Sequence, residues 1–407
     1  MSDLSHERYG QEFQFATTKF TPKVIISTIG LLICGALNTI LFKMQTKNFG
    51  LARSSISIQT FITFIGQYLN LIIFYGRIGI FAGKRRTHFR KYKNRALMSG
   101  RLYEFKTYRI GIASLLNCGA SLTQLYALVV LSPSFFQMLL GCGIVFTPLI
   151  SYFALKKKIY RHTLIGIIIS SVSLILISFS SLILTNDDKQ GGSNNLFSVS
   201  LMIVGVFLSS AQRVYEEWLL DKIETSAFRF VGLEGLYGVP ILFVVHIIFY
   251  LYDKIQGQDL FNIGLEFAQL ASSPPLVTTS IILILSTTFY DLFGIVITRK
   301  VSATYRVVND VARVVLVWLA EIVLYDIHND NLNKVTYFFV TLLRLFSYAL
   351  LILGNVLINE ITEITFCGLD KYFGRYQAAK IDENLLDESE EFSVYTLRKS
   401  KQAKRSE

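Results

Sequence analysis

The stretch VSATYRVVNDVARVVLVWLAEIVLY (Val301–Tyr325) is apolar enough for lipid, yet it contains Arg306, Asp310 and Arg313. On insertion scales, each charge at the centre of a membrane-spanning helix costs about 2.5–3.5 kcal/mol. The spacings of four and three residues place the three side chains on one helical face, where Asp310 can pair with both arginines. Charged groups within a span face the bundle interior or a water-filled cavity. We therefore expect this face to point away from lipid.

The composition of the whole chain is that of a membrane protein. Of its 407 residues, 52% are hydrophobic and 17% are charged, whereas a soluble chain carries about 25% charged residues. The mean hydropathy is +0.45. Windows of about 20 apolar residues span a bilayer, and the sequence has ten such windows. The predicted spans are Val24–Phe42, Ile56–Tyr75, Ile110–Leu131, Ser134–Leu155, Thr163–Leu184, Phe197–Leu219, Phe230–Leu251, Leu276–Thr298, Val307–Tyr325 and Val335–Ile358.

Basic residues are concentrated in one predicted loop. The segment Lys84–Arg109 holds ten lysine and arginine residues against Glu104 alone. Loops after even-numbered spans carry nineteen basic residues and the opposite loops carry six. Because basic loops stay on the cytoplasmic side, both termini are predicted to be cytoplasmic. The net charge of +11 follows from this topology, so membrane lipid and no nucleic acid is the expected macromolecular partner.

The polar run TNDDKQGGSNN (Thr185–Asn195) divides the spans into two sets of five. Because five is odd, the second set enters the membrane from the opposite side, as in the inverted repeats of secondary transporters. The sequence therefore predicts an all-α polytopic membrane protein with ten transmembrane helices in two inverted five-helix repeats. The predicted parts are a cytoplasmic N-terminus (1–23), a first repeat (24–184, with a basic cytoplasmic loop at 76–109), a non-cytoplasmic linker (185–196), a second repeat (197–358), and a cytoplasmic, largely disordered tail (359–407).

Polar side chains inside the spans are the candidate substrate-binding residues. Arg313 and Asp310 are predicted to contact a substrate or a proton, and Arg306 is a third candidate. Their face carries a net charge of +1, which favours an anionic or zwitterionic solute. Gln137 and Asn38 are predicted to form hydrogen bonds across the interface between the repeats. The alternatives are a structural ion-pair network and, for Arg306, a side chain that reaches the cytoplasmic surface.

Other polar residues in or beside the spans are more simply explained by structure. Amides and single charges within spans commonly form interhelical hydrogen bonds. This explanation applies to Asn117, Gln124, Gln212, Arg213, Asp291 and Arg344. Glu216, Glu217 and Glu234 flank a predicted cytoplasmic loop, where solvated or capping groups are the expectation, and Glu234 is kept as a further candidate site residue.

Enzyme signatures are missing from the sequence. It contains no P-loop, no H-E-x-x-H and no G-x-S-x-G motif, and Tyr290-Asp291 lacks the G-x-G-D half of an intramembrane aspartyl protease. The four cysteines and five histidines have no metal-ligand spacing. We therefore predict no catalytic residue, no metal and no cofactor.

Four motifs in and beside the spans are longer than single polar positions: GALNTILFK (Gly35–Lys43), SFFQMLLG (Ser134–Gly141), YEEWLLDKIETSAFRFVGLEGLYG (Tyr215–Gly238) and GIVITRKVSATYRVVNDVARVVLVW (Gly294–Trp318). They resemble solute carrier family 35 of the drug/metabolite transporter superfamily, and within it member six of the F subgroup most closely. The resemblance implies an EamA-type fold related to nucleotide-sugar transporters and to chloroquine-resistance-type vacuolar transporters. The residues that match the family pattern are Asn38, Lys43, Gln137, Glu216, Glu217, Glu234, Gly235, Arg306, Asp310 and Arg313.

One position departs from the family pattern, because Leu140 stands where a basic residue is expected. Aligning the two repeats pairs Leu140 with Asp310, so Asp310 is expected to depend on its own helix for partners. The resemblance also implies a lysosomal membrane. The acidic di-leucine sequence Asp382–Leu386 suits endolysosomal sorting by adaptors that bind Leu385 and Leu386, and the Golgi membrane is the alternative.

Together these features predict a secondary transporter of a small polar or anionic solute that works by alternating access. Coupling to protons and coupling to an exchanged solute are both open, as is assembly into a homodimer. The alternative is a membrane scaffold with a transporter-like fold that binds partners through the basic loop or the tail. An intramembrane enzyme is the least expected class.

Overall fold

The computed structural model describes residues 22–47, 56–80, 107–130, 139–157, 159–185, 196–223, 225–256, 268, 270–324 and 334–358. Within these ranges the regular structure is helical, and they contain no β-strand. The long helices of the described residues are α1 (Pro22–Lys47), α2 (Ile56–Ile80), α3 (Tyr108–Val130), α4 (Gly143–Leu155), α5 (Arg161–Thr185), α6 (Leu196–Lys222), α7 (Ala227–Gln256), α8 (Pro274–Lys300), α9 (Ala303–Leu324) and α10 (Lys334–Ile358).

Six of these helices contain stretches that are long and apolar enough to cross a membrane. The stretches are Pro22–Phe42, Ile58–Gly76, Phe197–Lys222, Ala227–Leu251, Pro274–Lys300 and Phe339–Ile358. Two shorter apolar helices, Leu139–Leu155 and Arg161–Ile177, accompany them. Helix α9, which carries Arg306, Asp310 and Arg313, is not among the six. A polytopic all-helical membrane protein is therefore confirmed.

Contacts between the helices follow a regular pattern. Helix α1 packs against α8 and α9, and helix α6 packs against α3 and α4. Helix α2 packs against α8, and α3 packs against α7. Further interfaces join α2 to α7, α4 to α9 and α5 to α10. Each of the first five helices therefore packs against at least one of the last five.

Helix α8 lies among five of the other helices, namely α1, α2, α6, α7 and α9. Its hydroxyl side chains bond to the backbones of its neighbours. Thr288 Oγ1 donates to the Gly66 carbonyl oxygen of α2 at 2.9 Å, and Ser286 Oγ donates to the Cys34 carbonyl oxygen of α1 at 3.1 Å. Because lipid is as apolar as the helices, such contacts and close packing hold membrane helices together. The central position of α8 places Tyr290 and Asp291 in the interior of the bundle.

Buried apolar side chains form clusters that join several helices, and two of these clusters include residues of the helices that carry the charged positions. The first joins α4, α5, α9 and α10 through Ile144, Ile167, Leu174, Ile177, Val307, Val308, Val311, Tyr348, Leu351 and Ile358. The second joins α2, α3, α6, α7 and α8 through Leu71, Ile110, Leu219, Leu220, Ile223, Phe230, Val231, Leu233 and Ile295. Both include direct chain neighbours of residues described below, so packing fixes the backbone from which the charged side chains extend.

Glycines bring α2 and α7 into backbone contact. A Cβ added at Gly235 would collide with the backbone nitrogen of Tyr68, and one added at Gly232 would collide with the backbone nitrogen of Leu71. Both glycines are close to Glu234 in the chain. They set the distance between the two helices and leave little free volume beside α7 at this level.

Gly235→Ala is expected to lower the free energy of unfolding by about 1–3 kcal/mol, because the added methyl group overpacks a backbone contact that cannot yield. The unfolding temperature of the detergent-purified protein measures this effect. Gly76→Ala on α2 is the matched control, since a Cβ there meets nothing within 4 Å and alanine favours a helix. Equal unfolding temperatures for the two variants would contradict the prediction.

Candidate functional site

The charged face of α9 points into the protein, as predicted. Arg306 and Asp310 keep 4% and 5% of their accessible surface. The Arg306 guanidinium lies 2.7 Å from a Glu216 carboxylate oxygen of α6 and 3.7 Å from an Asp291 oxygen of α8. The predicted pair along the helix between Arg313 and Asp310 forms at 2.8 Å. The charges of α9 are therefore neutralised by neighbouring helices as well as by their own.

Arg306 is the centre of a buried polar group that we call the Arg306 cluster; it comprises Gln67, Gln212, Glu216, Glu234, Asp291 and Arg306. The Gln212 Nε2 atom donates to Glu216 Oε1 at 2.6 Å and to Glu234 Oε1 at 2.9 Å. The Gln67 Nε2 atom donates to Asp291 Oδ2 at 3.0 Å. The cluster thus joins five helices, α2, α6, α7, α8 and α9.

A second group, the Asp310 cluster, comprises Arg213, Tyr290, Asp310 and Arg313. Asp310 Oδ1 accepts from Tyr290 Oη at 2.7 Å and from Arg313 Nη1 at 2.8 Å. Asp310 Oδ2 accepts from Arg213 Nη2 at 3.2 Å. The Arg313 guanidinium also donates to Tyr290 Oη at 3.2 Å and lies over the Tyr290 ring. One carboxylate therefore connects α6, α8 and α9.

The two clusters differ in charge and in access. With its side chains ionised, the Arg306 cluster has three carboxylates and one guanidinium, and its Glu216 side chain is 1% exposed. The Asp310 cluster has two guanidiniums and one carboxylate, and the Arg213 and Arg313 side chains are 19% and 18% exposed. With all these side chains ionised, the Asp310 cluster has a net charge of +1 and the Arg306 cluster has a net charge of −2.

Two glycines make room for the guanidinium groups. A Cβ at Gly294 of α8 would lie 2.6 Å from Arg306 Cζ, and a Cβ at Gly35 of α1 would lie 2.9 Å from Arg313 Cδ. Each glycine is the first residue of a motif that carries the family resemblance. Helix α1 thereby lies against the Asp310 cluster even though it contributes no charged side chain to it.

Two expectations about individual residues are wrong. Glu216, Glu217 and Glu234 are not solvated, since they keep 1%, 1% and 2% of their accessible surface, and Glu217 accepts from Lys157 Nζ at 2.6 Å. Asp310 does not depend on its own helix alone, because Arg213 and Tyr290 reach it from α6 and α8. Helix faces can be assigned from spacing, but partners on other helices cannot.

The remaining predicted site residues are placed as follows. Asn38 of α1 is buried, and its Oδ1 atom has no hydrogen-bond partner among the described residues. Glu234 belongs to the Arg306 cluster, and Gln137 lies outside the described residues. Gln67 and Tyr290 are not among the predicted site residues, although an amide inside a predicted span was a signal for Gln67.

Comparison with known proteins identifies the family. A sequence profile described as SLC35F, solute carrier family 35, matches residues 23–350. That range contains eight of the described long helices entirely and most of the first and the last. The chain belongs to solute carrier family 35. The predicted family is thus confirmed, and the described helices of this family member form an integral, multi-pass membrane protein.

The relatives of this family member include human solute carrier family 35 member F6, which is 29% identical over 203 residues, 49% of this chain and 55% of the relative. An uncharacterised protein of Schizosaccharomyces pombe is 26% identical over 205 residues, 50% of this chain and 61% of the relative. The chain therefore matches little more than half the length of these relatives. A solved crystal structure covers 84% of this chain and 99% of its own with a TM-score of 0.51. Its identity of 11% limits that likeness to the fold.

Proposed function

We propose that this protein is a secondary transporter that moves a small polar or anionic solute by alternating access. The Asp310 cluster is the observation that supports this function. It has a guanidinium excess, its arginines are partly accessible, and it lies inside a helix bundle, where ionisable groups mark solute and ion pathways. Arginine binds carboxylate and phosphate groups with paired hydrogen bonds, so the solute class is an anion or a zwitterion.

The helix contacts support two inverted five-helix repeats. If each helix of the first repeat corresponds to the helix five places later, the α1–α8 and α1–α9 interfaces correspond to α6–α3 and α6–α4. The α2–α8 interface corresponds to α7–α3, and α2–α7, α4–α9 and α5–α10 correspond to themselves. A twofold relation between halves produces this set of pairs. With an odd number of spans in each half, that relation inverts one half in the membrane.

The Asp310 carboxylate provides a mechanism by which solute binding changes the conformation. Asp310 joins α6 to α8 and α9 through Arg213 and Tyr290. A solute anion that takes the guanidiniums of Arg213 and Arg313 competes with Asp310 for them. Solute binding thereby loosens the contact between α6 and the pair α8–α9. Because α6 packs against α3 and α4, and α8 and α9 pack against α1, the group formed by α3, α4 and α6 can then move against the group formed by α1, α8 and α9.

Asn38 is proposed to orient the solute. It lies three residues after Gly35, hence on the same face of α1, and Gly35 contacts Arg313. Its Oδ1 atom is a buried acceptor without a partner in the described residues. Buried polar atoms are nearly always satisfied, so a hydroxyl or amine of the solute is a suitable donor. Gln137 and Glu234 stay predicted site residues, with a separate role for Glu234 argued below.

Topology and location are further parts of the proposal. The positive-inside pattern supports cytoplasmic termini. The di-leucine sequence Asp382–Leu386, which lies outside the described residues, supports an endolysosomal membrane over the Golgi membrane. In the alternative function, a membrane scaffold, the basic loop would bind partners. Most of this loop, residues 81–106, also lies outside the described residues.

Enzyme chemistry finds little support in the site. Catalytic carboxyl groups must lie within reach of a substrate, whereas Glu216 and Glu234 keep only 1% and 2% of their accessible surface. The Gln212 amide bonds to both of them. Asp291 is bonded to Gln67 and lies beside Arg306.

An untargeted uptake experiment tests the proposed function. Liposomes that contain the purified full-length protein are incubated with a polar cell extract, and the solutes retained inside are identified by mass spectrometry. We expect at least one anionic or zwitterionic solute to enrich over protein-free liposomes, with uptake that saturates with concentration. Enrichment of neutral apolar compounds alone, or of none, would overturn the proposal.

A further inference from the structure

Glu234 is a buried carboxyl group without a cationic partner in the described part of the chain. Arg306 contacts Glu216 and Asp291, and the described residues place no lysine or arginine nitrogen within 4.0 Å of Glu234. Its one side-chain donor is the neutral amide of Gln212. An isolated carboxylate removed from water is very costly, so this group needs another source of neutralisation.

Glu216, the nearest ionisable neighbour of Glu234, increases the cost of a negative charge on Glu234. The Oε1 atoms of Glu234 and Glu216 accept from the same Gln212 nitrogen, so the two carboxyl groups are close together. Asp291 adds a third carboxylate from α8, and among the described residues Arg306 is the one arginine that forms an ion pair with Glu216 or Asp291. Two carboxylates that share a site in low dielectric do not both ionise readily.

The packing around Glu234 restricts what can bind there. Gly232 and Gly235 bring α7 into contact with the α2 backbone, and the Glu234 carbonyl oxygen accepts from Ser114 Oγ of α3 at 2.7 Å. Glu234 keeps 2% of its accessible surface. A solute group therefore cannot enter without separating helices, and the described residues contain no arrangement of three metal-binding side chains. A proton needs no such space.

We propose that the Glu234–Glu216 pair is a proton-binding site. The proton is covalently bound to one carboxyl oxygen of Glu234 and hydrogen bonds to the neighbouring Glu216 carboxylate, whose second oxygen is held by Arg306. Neither a bound cation nor exposure to water is then required. The site is distinct from the Asp310 cluster, which is open and has excess positive charge.

Two helices link this proton site to the proposed solute site. On α6, Gln212 belongs to the Arg306 cluster and the next residue, Arg213, belongs to the Asp310 cluster. On α8, Tyr290 and Asp291 are divided in the same way. A movement of α6 that releases Arg213 from Asp310 also moves Gln212 and Glu216 away from Glu234. Proton release would then accompany solute movement; this coupling, unlike proton binding itself, rests on the proposed function.

Infrared spectroscopy of the purified full-length protein tests proton binding without any solute. We expect the wild-type protein to show the carbonyl band of a protonated carboxylic acid at neutral pH. In Glu234→Gln, the intensity of this band should decrease by the contribution of one carboxyl group. Glutamine is neutral and of similar shape, so this variant should keep or raise the unfolding temperature. Asp221→Asn, at an exposed carboxylate near the end of α6, should leave the band unchanged.

Absence of the band in the wild-type protein, or its full retention in folded Glu234→Gln, would overturn the proposal. Should Glu234→Gln fail to fold, Glu216→Gln provides a second test, because loss of the neighbouring charge should make the band disappear at a lower pH than in the wild type. An unchanged titration in Glu216→Gln would also overturn it. The infrared band does not depend on transport. A negative uptake experiment would therefore contradict the proposed function without contradicting proton binding at Glu234.

Discussion

Arg306→Gln is expected to lower the free energy of unfolding by about 3–5 kcal/mol, the usual effect of removing one partner from a buried ion pair. The guanidinium lies 2.7 Å from Glu216 and 3.7 Å from Asp291, and all three groups are almost fully buried. Without it, Glu216, Glu234 and Asp291 remain together in the protein interior with no guanidinium in direct contact. The unfolding temperature and the unfolded fraction in increasing denaturing detergent measure the loss.

A double-mutant cycle identifies the cause of this loss. Glu216→Gln removes one of the carboxylates that Arg306 neutralises, so Arg306→Gln combined with Glu216→Gln should be more stable than Arg306→Gln alone. Arg344→Gln is the matched control, since its guanidinium donates to the uncharged Ser180 hydroxyl at 3.3 Å and the expected loss, about 1.5–3 kcal/mol, is smaller. Similar stability of Arg306→Gln and Arg344→Gln would show that Arg306 does not hold the cluster together.

The sequence predicts the positions of the helices well, because a lipid environment imposes a simple requirement. A segment that crosses a bilayer must be long, apolar and helical, and six of the apolar windows correspond to described helices that are long and apolar enough to cross a membrane. The orientation of α9 is predictable for the same reason. The charges at 306, 310 and 313 share one helical face, and the high cost of exposing charged side chains to lipid excludes an arrangement in which that face points outward.

The partners of these charges are not predictable from local spacing. The predicted sixth span ends at Leu219, which places Glu216 and Glu217 next to a loop. Helix α6 in fact continues to Lys222, and α7 begins at Ala227, so the connection is short and the ends of both helices pack together. Apolar residues of the two helices, including Leu219 and Phe230, form one buried cluster there. The glutamates are therefore buried by packing between helices, which the hydropathy of a single segment cannot predict.

The division into two clusters changes the interpretation of the charged face of α9. One helix face presents Arg306 to a closed group rich in carboxylates and Arg313 to a more open group rich in guanidiniums. The three charges thus do not form a single binding surface. On the proposed function, Arg306 stabilises the structure and Arg313 contacts the solute, so the Arg306 variant should mainly lose stability and the Arg313 variant should mainly lose uptake.

Arg313→Gln is expected to reduce solute uptake by about tenfold to a hundredfold, since a hydrogen bond to a charged group contributes about 1.5–3 kcal/mol. The loss should appear mainly as a higher solute concentration for half-maximal uptake, because the variant removes a contact with the bound anion. Uptake of a solute found in the extract experiment, measured in liposomes with equal amounts of folded protein, gives both constants. Stability should fall less than in Arg306→Gln, because the Arg313 side chain is 18% exposed.

Asp310→Asn should change uptake in a different way. Asparagine competes poorly with an anionic solute for Arg213 and Arg313, so half-maximal uptake should occur at a lower concentration. The maximal rate should also fall, because the carboxylate that displaces the solute and reconnects α6 to α8 and α9 is missing. Arg344→Gln should leave both constants unchanged. If Asp310→Asn and Arg313→Gln both transport like the wild type, the solute does not bind at the Asp310 cluster. A lower half-maximal concentration in Asp310→Asn together with a higher one in Arg313→Gln would show that the solute and the carboxylate compete directly for the guanidinium groups.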